Sequence, residues 1–360
     1  MVTYVIRRIL LIIPTLIGIT AVVFFVMKAA PGDVADLLMS PEGEMKAQER
    51  KEMIAYIRNR YGLDKPAIVQ YGRWLNKVSP IGFDTRVEHG SIDFRRPRLK
   101  MPDLGESFVV RRPVIDMIAD ALPITLLLNL VSIPFIYGIA IVTGLYAAKF
   151  RGGIVDVGSS LLFLALWSVP TIWAGVLLIG FLANDRYLHW FPTAGLHGIN
   201  PEGMPFLPRW TQEGFESGYL VDGLYHLVLP VICLSYGGFA FLSKLTRTAI
   251  LENLSMDFVR TARAKGVEES HVLFHHVFRN SLLPLITVAA HILPGLLAGS
   301  VIVETIFSID GMGKLIVSSV KLKDQEVVMA GTLVSGILGL ISYLIADLGY
   351  AIADPRVSYE

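Results

Sequence analysis

The run Asp257–Pro284, DFVRTARAKGVEESHVLFHHVFRNSLLP, decides how the chain is read. It is the longest polar interruption in a hydrophobic second half, and it lies between two strongly apolar runs, Leu224–Leu242 and Leu282–Ile306. A polar loop of this size between two membrane-crossing runs must sit on one side of a bilayer. Its basic residues Arg260, Arg263, Lys265 and Arg279, with Lys244 and Arg247 just before it, assign that side to the cytoplasm. Asp257–Lys265 holds no Gly or Pro and reads as a helix. Gly266 interrupts it, and Val267–Phe278 reads as a second helix. Phe258, Val259 and Ala262 fall at helical spacing, as do Leu273 and Val277 with Phe274 and Phe278 beside them. The plain reading is a solvated connection between two spans. The sharper one is a helix–hinge–helix whose apolar faces suit a groove on a partner.

Composition agrees with a membrane setting. Of 360 residues, 53% are hydrophobic and 18% charged, and the mean hydropathy is +0.55. That apolar excess marks an integral membrane protein. Lys and Arg number 32 against 31 Asp and Glu, a net charge of +1, so nothing points to nucleic acid. Cys233, the one cysteine, lies in an apolar run and reads as a buried structural thiol. An intrachain disulfide and a thiol metal cluster are excluded.

Outward from the loop, the chain divides by hydropathy. Residues 1–27 form a first membrane helix. Arg7 and Arg8 precede the apolar run Ile9–Met27, which is longer than the core of a signal peptide. Residues 28–117 form a large external region. It opens on a Pro31-Gly32-Asp33 turn and continues with an amphipathic helix over Glu42–Arg60 that stops at Gly62. The Gly- and Pro-containing stretch Ser79–Pro102 follows, irregular or strand-forming. The core, 118–353, holds spans at 118–148, 157–183, 224–242, 282–306 and 327–353, with a cytoplasmic loop over 243–281 and a tail over 354–360. Lys149 and Arg151 mark a cytoplasmic turn, and Tyr187, Trp190 and Phe191 suit an interfacial belt. The expectation is an all-α integral membrane protein of six transmembrane helices, N- and C-termini cytoplasmic, with a large external loop after the first helix. Lys314, Lys321 and Lys323 on the last external segment run against the charge rule. No internal repeat is visible, so the inverted-repeat signature of secondary transporters is missing.

Chemistry is sparse. Prolines in spans two to five free backbone carbonyls, which suits a translocation path and equally suits kinked packing. Two ionisable residues draw notice within spans, His291 in the fifth and Asp347 in the sixth. Asp347 is about five residues from the cytoplasmic end, within snorkelling reach, and reads as structural. His291 lies nearer mid-depth and is a candidate pathway residue, with hydrogen-bonded packing as the plainer alternative. His271, His275 and His276 lack an acidic partner at matching spacing, so no metal is expected. Gly311-Met312-Gly313-Lys314 imitates the tail of a phosphate loop, but Ser308 stands where the first Gly is needed and Leu315 where Ser or Thr is needed. No nucleophile constellation appears, no cofactor is implied, and the chain has no visible engine of its own.

Against this background, RTARAKGV (260–267) followed by HVFRNSLLP (276–284) resembles the cytoplasmic "EAA" loop of ABC importer permeases, in the variant of the oligopeptide/dipeptide permease family. Ala262 and Gly266 match the general pattern. Arg260 and Thr261 stand where Glu and Ala would be, and Leu283-Pro284 comes five residues late, as in the peptide branch. The stretches 6–33, YGLDKP (61–66), DLGESFVVRRPVIDMIADALPITLLL (103–128), FPTAG (191–195), VETIFSIDGMGKL (303–315) and YAIADPRV (350–357) also look like landmarks of that family. The length of Ser79–Pro102 resembles the subgroup with an enlarged first external loop.

The resemblance implies half of an importer pore in the cell inner membrane, with a second homologous permease completing it. It also implies two cytoplasmic ATP-binding subunits that hydrolyse ATP, so that this chain is not itself an enzyme, and an extracytoplasmic solute-binding protein that delivers peptides or similar small solutes. It makes 243–281 a coupling-helix loop, with Phe258, Arg260, Thr261, Ala262, Arg263, Lys265, Gly266 and Val267 as the ATPase-coupling residues. The rival reading is a self-contained secondary transporter or channel. That needs an intramembrane charge relay, for which only His291 and Asp347 are candidates.

Overall fold

The computed structural model describes residues 2–30, 55, 64–86, 91–211 and 214–353, with the side chains of 2–5, 84–86, 91–96, 283, 290–299, 346 and 349–353 outside that set. The turn expected at Pro31, the helix over Glu42–Arg60, the stop at Gly62 and the tail 354–360 lie outside the described residues. The elements are α1 (Val2–Ala29), α2 (Ala67–Val78), β1 (Ile81–Arg86), β2 (Ser91–Leu99), α3 (Val114–Lys149), α4 (Ile154–Trp167) and α5 (Thr171–Leu178). There follow β3 (Arg209–Thr211), β4 (Gly214–Glu216), α6 (Gly218–Leu254), α7 (Asp257–Ala264), α8 (Glu269–His271), α9 (Phe278–Ile306), α10 (Met312–Lys321) and α11 (Gln325–Ala353).

Long helices dominate because the apolar runs leave the backbone only its own carbonyls and amides to pair with. Among the described residues, four helical stretches are long and apolar enough to cross a membrane: Ile6–Ala29, α3, α6 and Gln325–Ile345. A fifth forms if α4 and the stretch Thr171–Ala183, bent by 97°, count as one span. Helix α9 adds 29 residues, about 43 Å of helix, with the side chains in its middle outside the described set. The protein is thus an all-α membrane protein whose only sheets, among the described residues, are two small antiparallel hairpins, β1–β2 and β3–β4. The first of these occupies the stretch Ser79–Pro102.

The bend between α4 and α5 has a local cause. Pro170 caps α5 in an extended conformation (φ −61°, ψ 142°), and a residue before proline is pushed away from the helical region. The interruption frees the Val169 carbonyl, which α6 then satisfies. Tyr236 Oη donates to the Val169 carbonyl at 2.5 Å, and Cys233 Sγ donates weakly to the Thr171 carbonyl at 3.6 Å.

The backbone divides into two compact units. The first comprises Met1–Arg8, Leu122–Lys314 and Leu338–Glu360. Its packing runs along α3, α6 and α9: Ile136, Tyr236, Phe239, Leu242 and Leu285 form one buried cluster, and Leu128, Leu229, Val303 and Phe307 belong to another. In the same unit Arg8 pairs with Asp347 at 2.8 Å.

The second unit comprises Ile9–Ala121 and Leu315–Ile337. There Phe24 of α1, Tyr71 and Trp74 of α2, and Met329 of α11 pack together, and the Thr20 and Tyr71 hydroxyls lie 2.9 Å apart. Asp324 is buried and accepts from the Ser107 hydroxyl and, at 3.3 Å each, from the Phe108 and Val109 amides. Lys77 reaches Glu326 at 3.2 Å.

Candidate functional site

Helix α6 has 37 residues, about 55 Å at the helical rise. That exceeds the roughly 30 Å hydrocarbon core, so α6 runs on past Leu242 and carries the loop away from the apolar layer. At the loop's base Asn253 Nδ2 donates to Ser281 Oγ at 3.1 Å, and Ser281 Oγ donates to the Ala249 carbonyl at 3.2 Å. The end of α6 and the start of α9 are therefore tied to one another.

Between them lies α7, eight residues long. A helix this short is marginal by itself, so tertiary contacts must hold it. Val259 and Ala262 supply them, being 0% and 9% exposed. They pack with Leu145 and Ala148 of α3, Ile250 of α6, and Val272, Leu273 and Val277 of the π-helical turn Val272–Val277 that leads into α9. Asp257 in the first turn and Arg263 in the last complement the helix dipole.

The end of α7 is closed by Gly266, whose φ of +76° lies in the left-handed region. The Gly266 amide donates to the Arg263 carbonyl at 2.9 Å, and the Val267 amide to the Ala262 carbonyl at 3.2 Å. This is the paired closure of a Schellman motif, and Val267 completes it by packing on the cluster that contains Ala262. Arg263 then grips Glu269 of α8 with two bonds, Nε at 3.0 Å and Nη2 at 2.5 Å. That guanidinium holds the Glu269 carboxyl below its ordinary value.

The eight residues named from the sequence therefore divide. Ala262 and Val267 face the core and hold the loop in place. Phe258, Arg260, Thr261, Arg263, Lys265 and Gly266 are exposed, with Arg260 only loosely paired to Asp257 at 3.4 Å. Met256 and Phe274 add exposed apolar surface on the same loop. The His271, His275 and His276 rings pack with centroids 4.9–5.7 Å apart. Among the described residues, no three His, Cys, Asp or Glu are grouped to hold a metal. His291 lies on α9, and its side chain is outside the described set.

Sequence reasoning passed over two ionisable sites. Glu304, near the end of α9, is fully buried. Its Oε1 accepts from the Thr125 hydroxyl at 2.8 Å and its Oε2 from the Lys314 amide at 3.0 Å, while the Met312 amide donates to Thr125 Oγ1 at 2.8 Å. Gly311 leaves room for this carboxylate, and Gly313 leaves room for the α9 backbone that carries it. A Cβ on Gly311 would lie 2.5 Å from Glu304 Cδ, and one on Gly313 2.5 Å from Val301 Cα. The GMGK run thus wraps a buried carboxylate at the start of α10. An acidic residue at the end of an apolar run with Gly-x-Gly seven residues later was the available signal. The second site is Asp156 on α4, also buried, which accepts from Arg247 Nε at 2.5 Å and Nη2 at 2.7 Å and from the Gly152 amide at 2.9 Å.

Comparison with known proteins bears on what this loop serves. Residues 140–359 match the family described as binding-protein-dependent transport system inner membrane component, and residues 1–129 match the N-terminal region of such membrane components. The chain is 38% identical over 360 residues to the oligopeptide transport system permease protein AppB of Bacillus subtilis (strain 168), with 100% of both chains covered. It is 33% identical over 364 residues to the di/tripeptide transport system permease protein DppB of Pseudomonas aeruginosa (strain UCBPP-PA14), again with 100% of both covered. It is 31% identical over 374 residues to the peptidoglycan transport system permease protein YejB of Agrobacterium fabrum, covering 99% of this chain and 98% of the relative.

Proposed function

The chain belongs to the family of binding-protein-dependent transport system inner membrane components, and from that membership we propose that it forms half of a membrane pathway for peptides or similar small solutes. It is a permease subunit of an ABC importer, a multi-pass membrane protein and not an enzyme. The finer reading concerns its partners and its coupling. A second homologous permease completes the pathway, two cytoplasmic ATP-binding subunits drive it, and an extracytoplasmic solute-binding protein loads it. The peptide assignment is supported by the names of the relatives, which cover oligopeptides, di- and tripeptides, and peptidoglycan.

The observation that carries the coupling reading is the two-sidedness of α7. One face is locked into the membrane bundle by Val259 and Ala262, and the other presents Arg260, Thr261 and Lys265. We assign the exposed face to docking on the ATP-binding subunit. The locked face transmits movement, because its cluster joins α3, α6 and the turn into α9. Closure of the ATP-binding pair would displace α7, and α6 and α9 would follow it, switching access from one side of the membrane to the other. Six spans place both termini in the cytoplasm, a topology supported by Arg7, Arg8, Lys149, Arg151 and the basic loop.

Reconstituting the chain with its permease partner, the ATP-binding subunits and the binding protein tests the reading. Labelled peptide should enter vesicles only with ATP and binding protein together. Uptake that persists without ATP and collapses with the ion gradient would replace this reading with a secondary transporter.

A further inference from the structure

One cleft in the first unit is not used by the coupling loop. It has a volume of about 400 Å³ and lies between the stripe Ser159, Ser160, Phe163, Leu164, Trp167 of α4 and the stripe Ala240, Phe241, Lys244, Thr248 of α6. These positions recur at helical spacing, so each stripe is one face of its helix. The helices run antiparallel here: Asp156 meets Arg247 at one end, and Trp167 meets Phe241 with ring centroids 6.3 Å apart at the other.

The cleft is polarised along its length. At the Arg247 end stand Lys244, Thr248, Ser159 and Ser160, and at the Trp167 end the walls are aromatic and aliphatic. Arg247 is committed to Asp156. Lys244 is exposed and, among the described residues, has no ion-pair partner. The seven helical steps from Ser160 to Trp167 cover about 10 Å, a third of the hydrocarbon thickness. A peptide backbone would need hydrogen-bond partners along the apolar end, and Phe163, Leu164 and Trp167 offer only side-chain surface there. An acyl chain needs none.

We propose that this cleft is a binding site for an anionic phospholipid of the leaflet on the coupling-loop side. Its phosphate sits at Lys244 and the Ser160 hydroxyl, beside Ser159 and Thr248, whose hydroxyls donate to the Asp156 and Lys244 carbonyls, and one acyl chain runs along Phe163, Leu164, Trp167 and Phe241. The leaflet named rests on the topology proposed above; the polarity of the cleft does not. Basic clefts between membrane helices at the cytoplasmic level suit acidic headgroups, and one lysine near such a surface favours the anionic lipid by about fivefold.

The test uses the complete transporter in proteoliposomes containing brominated phosphatidylglycerol or brominated phosphatidylcholine. Quenching of Trp167 is taken as the difference between the transporter and its Trp167→Phe variant. Phosphatidylglycerol should win by about fivefold. Lys244→Gln should bring the ratio close to one, and Lys244→Arg should keep it. Equal quenching by the two lipids, or a ratio unmoved by Lys244→Gln, overturns the proposal. So does a Trp167 shielded from both lipids in the complete transporter, which would put a protein surface in the cleft. ATP-driven uptake in the same vesicles reports separately on the permease reading, so the two can fail independently.

Discussion

The Val267 amide reaches back to the Ala262 carbonyl at 3.2 Å, so that α7 closes across Gly266. Both ends of that bond belong to the cluster that joins α3, α6 and the turn into α9. Helix α7 is therefore fixed to the membrane bundle by its own stop signal.

Gly266 is required for its φ of +76° and not for space, since a Cβ there would meet nothing within 4 Å. Gly266→Val should cost about 1–2 kcal/mol locally, enough to open the Schellman closure without unfolding the bundle. The protein should insert and accumulate normally, while ATP-driven uptake falls at least tenfold. Gly266→Asn, which tolerates this conformation, should retain most uptake. Comparing uptake per inserted molecule for the two variants checks both statements.

The two faces of α7 should separate stability from coupling. Val259→Ala removes fully buried methyl groups and should destabilise by about 1–2 kcal/mol, visible as a lower thermal midpoint in detergent. Arg260→Ala changes an exposed side chain and should move stability by no more than about 0.5 kcal/mol. It should nonetheless weaken retention of the ATP-binding subunit. A thermal shift for Arg260→Ala as large as that for Val259→Ala would contradict the assignment of faces.

Glu304 should be structural. Glu304→Ala leaves the Thr125 hydroxyl and the Lys314 amide without their acceptor, at about 1–3 kcal/mol for each buried donor. Gly313→Ala would press a methyl against Val301 Cα and force the backbone apart. Both variants should show depressed thermal midpoints, Gly313→Ala the more severely, and neither should regain stability when substrate is added.

Tyr236→Phe should unpair the Val169 carbonyl at the α4–α5 bend at a cost of about 1–3 kcal/mol. The bend itself should survive, because Pro170 imposes it. A cysteine-accessibility scan over 165–172 should keep its pattern, while the thermal midpoint drops.

Local features of this chain were legible and distant ones were not. The Gly266 break follows from one glycine, and helical spacing groups Phe258, Val259 and Ala262 as an apolar face suited to a partner, whereas Val259 and Ala262 are buried within the bundle and only Phe258 stays exposed. The bend of 97° was hidden because hydropathy over 157–183 is continuous. Pro170 announces an interruption but carries no angle, which packing against Cys233 and Tyr236 helps to set. Glu304 and Asp156 went unread because their partners, Thr125 and Arg247, lie 179 and 91 residues away. The GMGK glycines looked like a failed nucleotide loop until the carboxylate they surround was in view. Ala262 and Lys265 both belong to the loop motif, yet only burial tells which holds the helix and which is free to meet a partner.

The most direct test is a pull-down of the ATP-binding subunits on the detergent-solubilised chain, followed by an ATPase assay of the eluate. It compares the intact protein with Arg260→Glu/Lys265→Glu, two exposed positions on the loop. If the outward face of α7 is the docking surface, the intact chain retains ATPase activity and the double variant loses at least nine-tenths of it with an unchanged thermal midpoint. Equal ATPase retention by both forms would contradict that assignment and move the docking surface elsewhere on the chain.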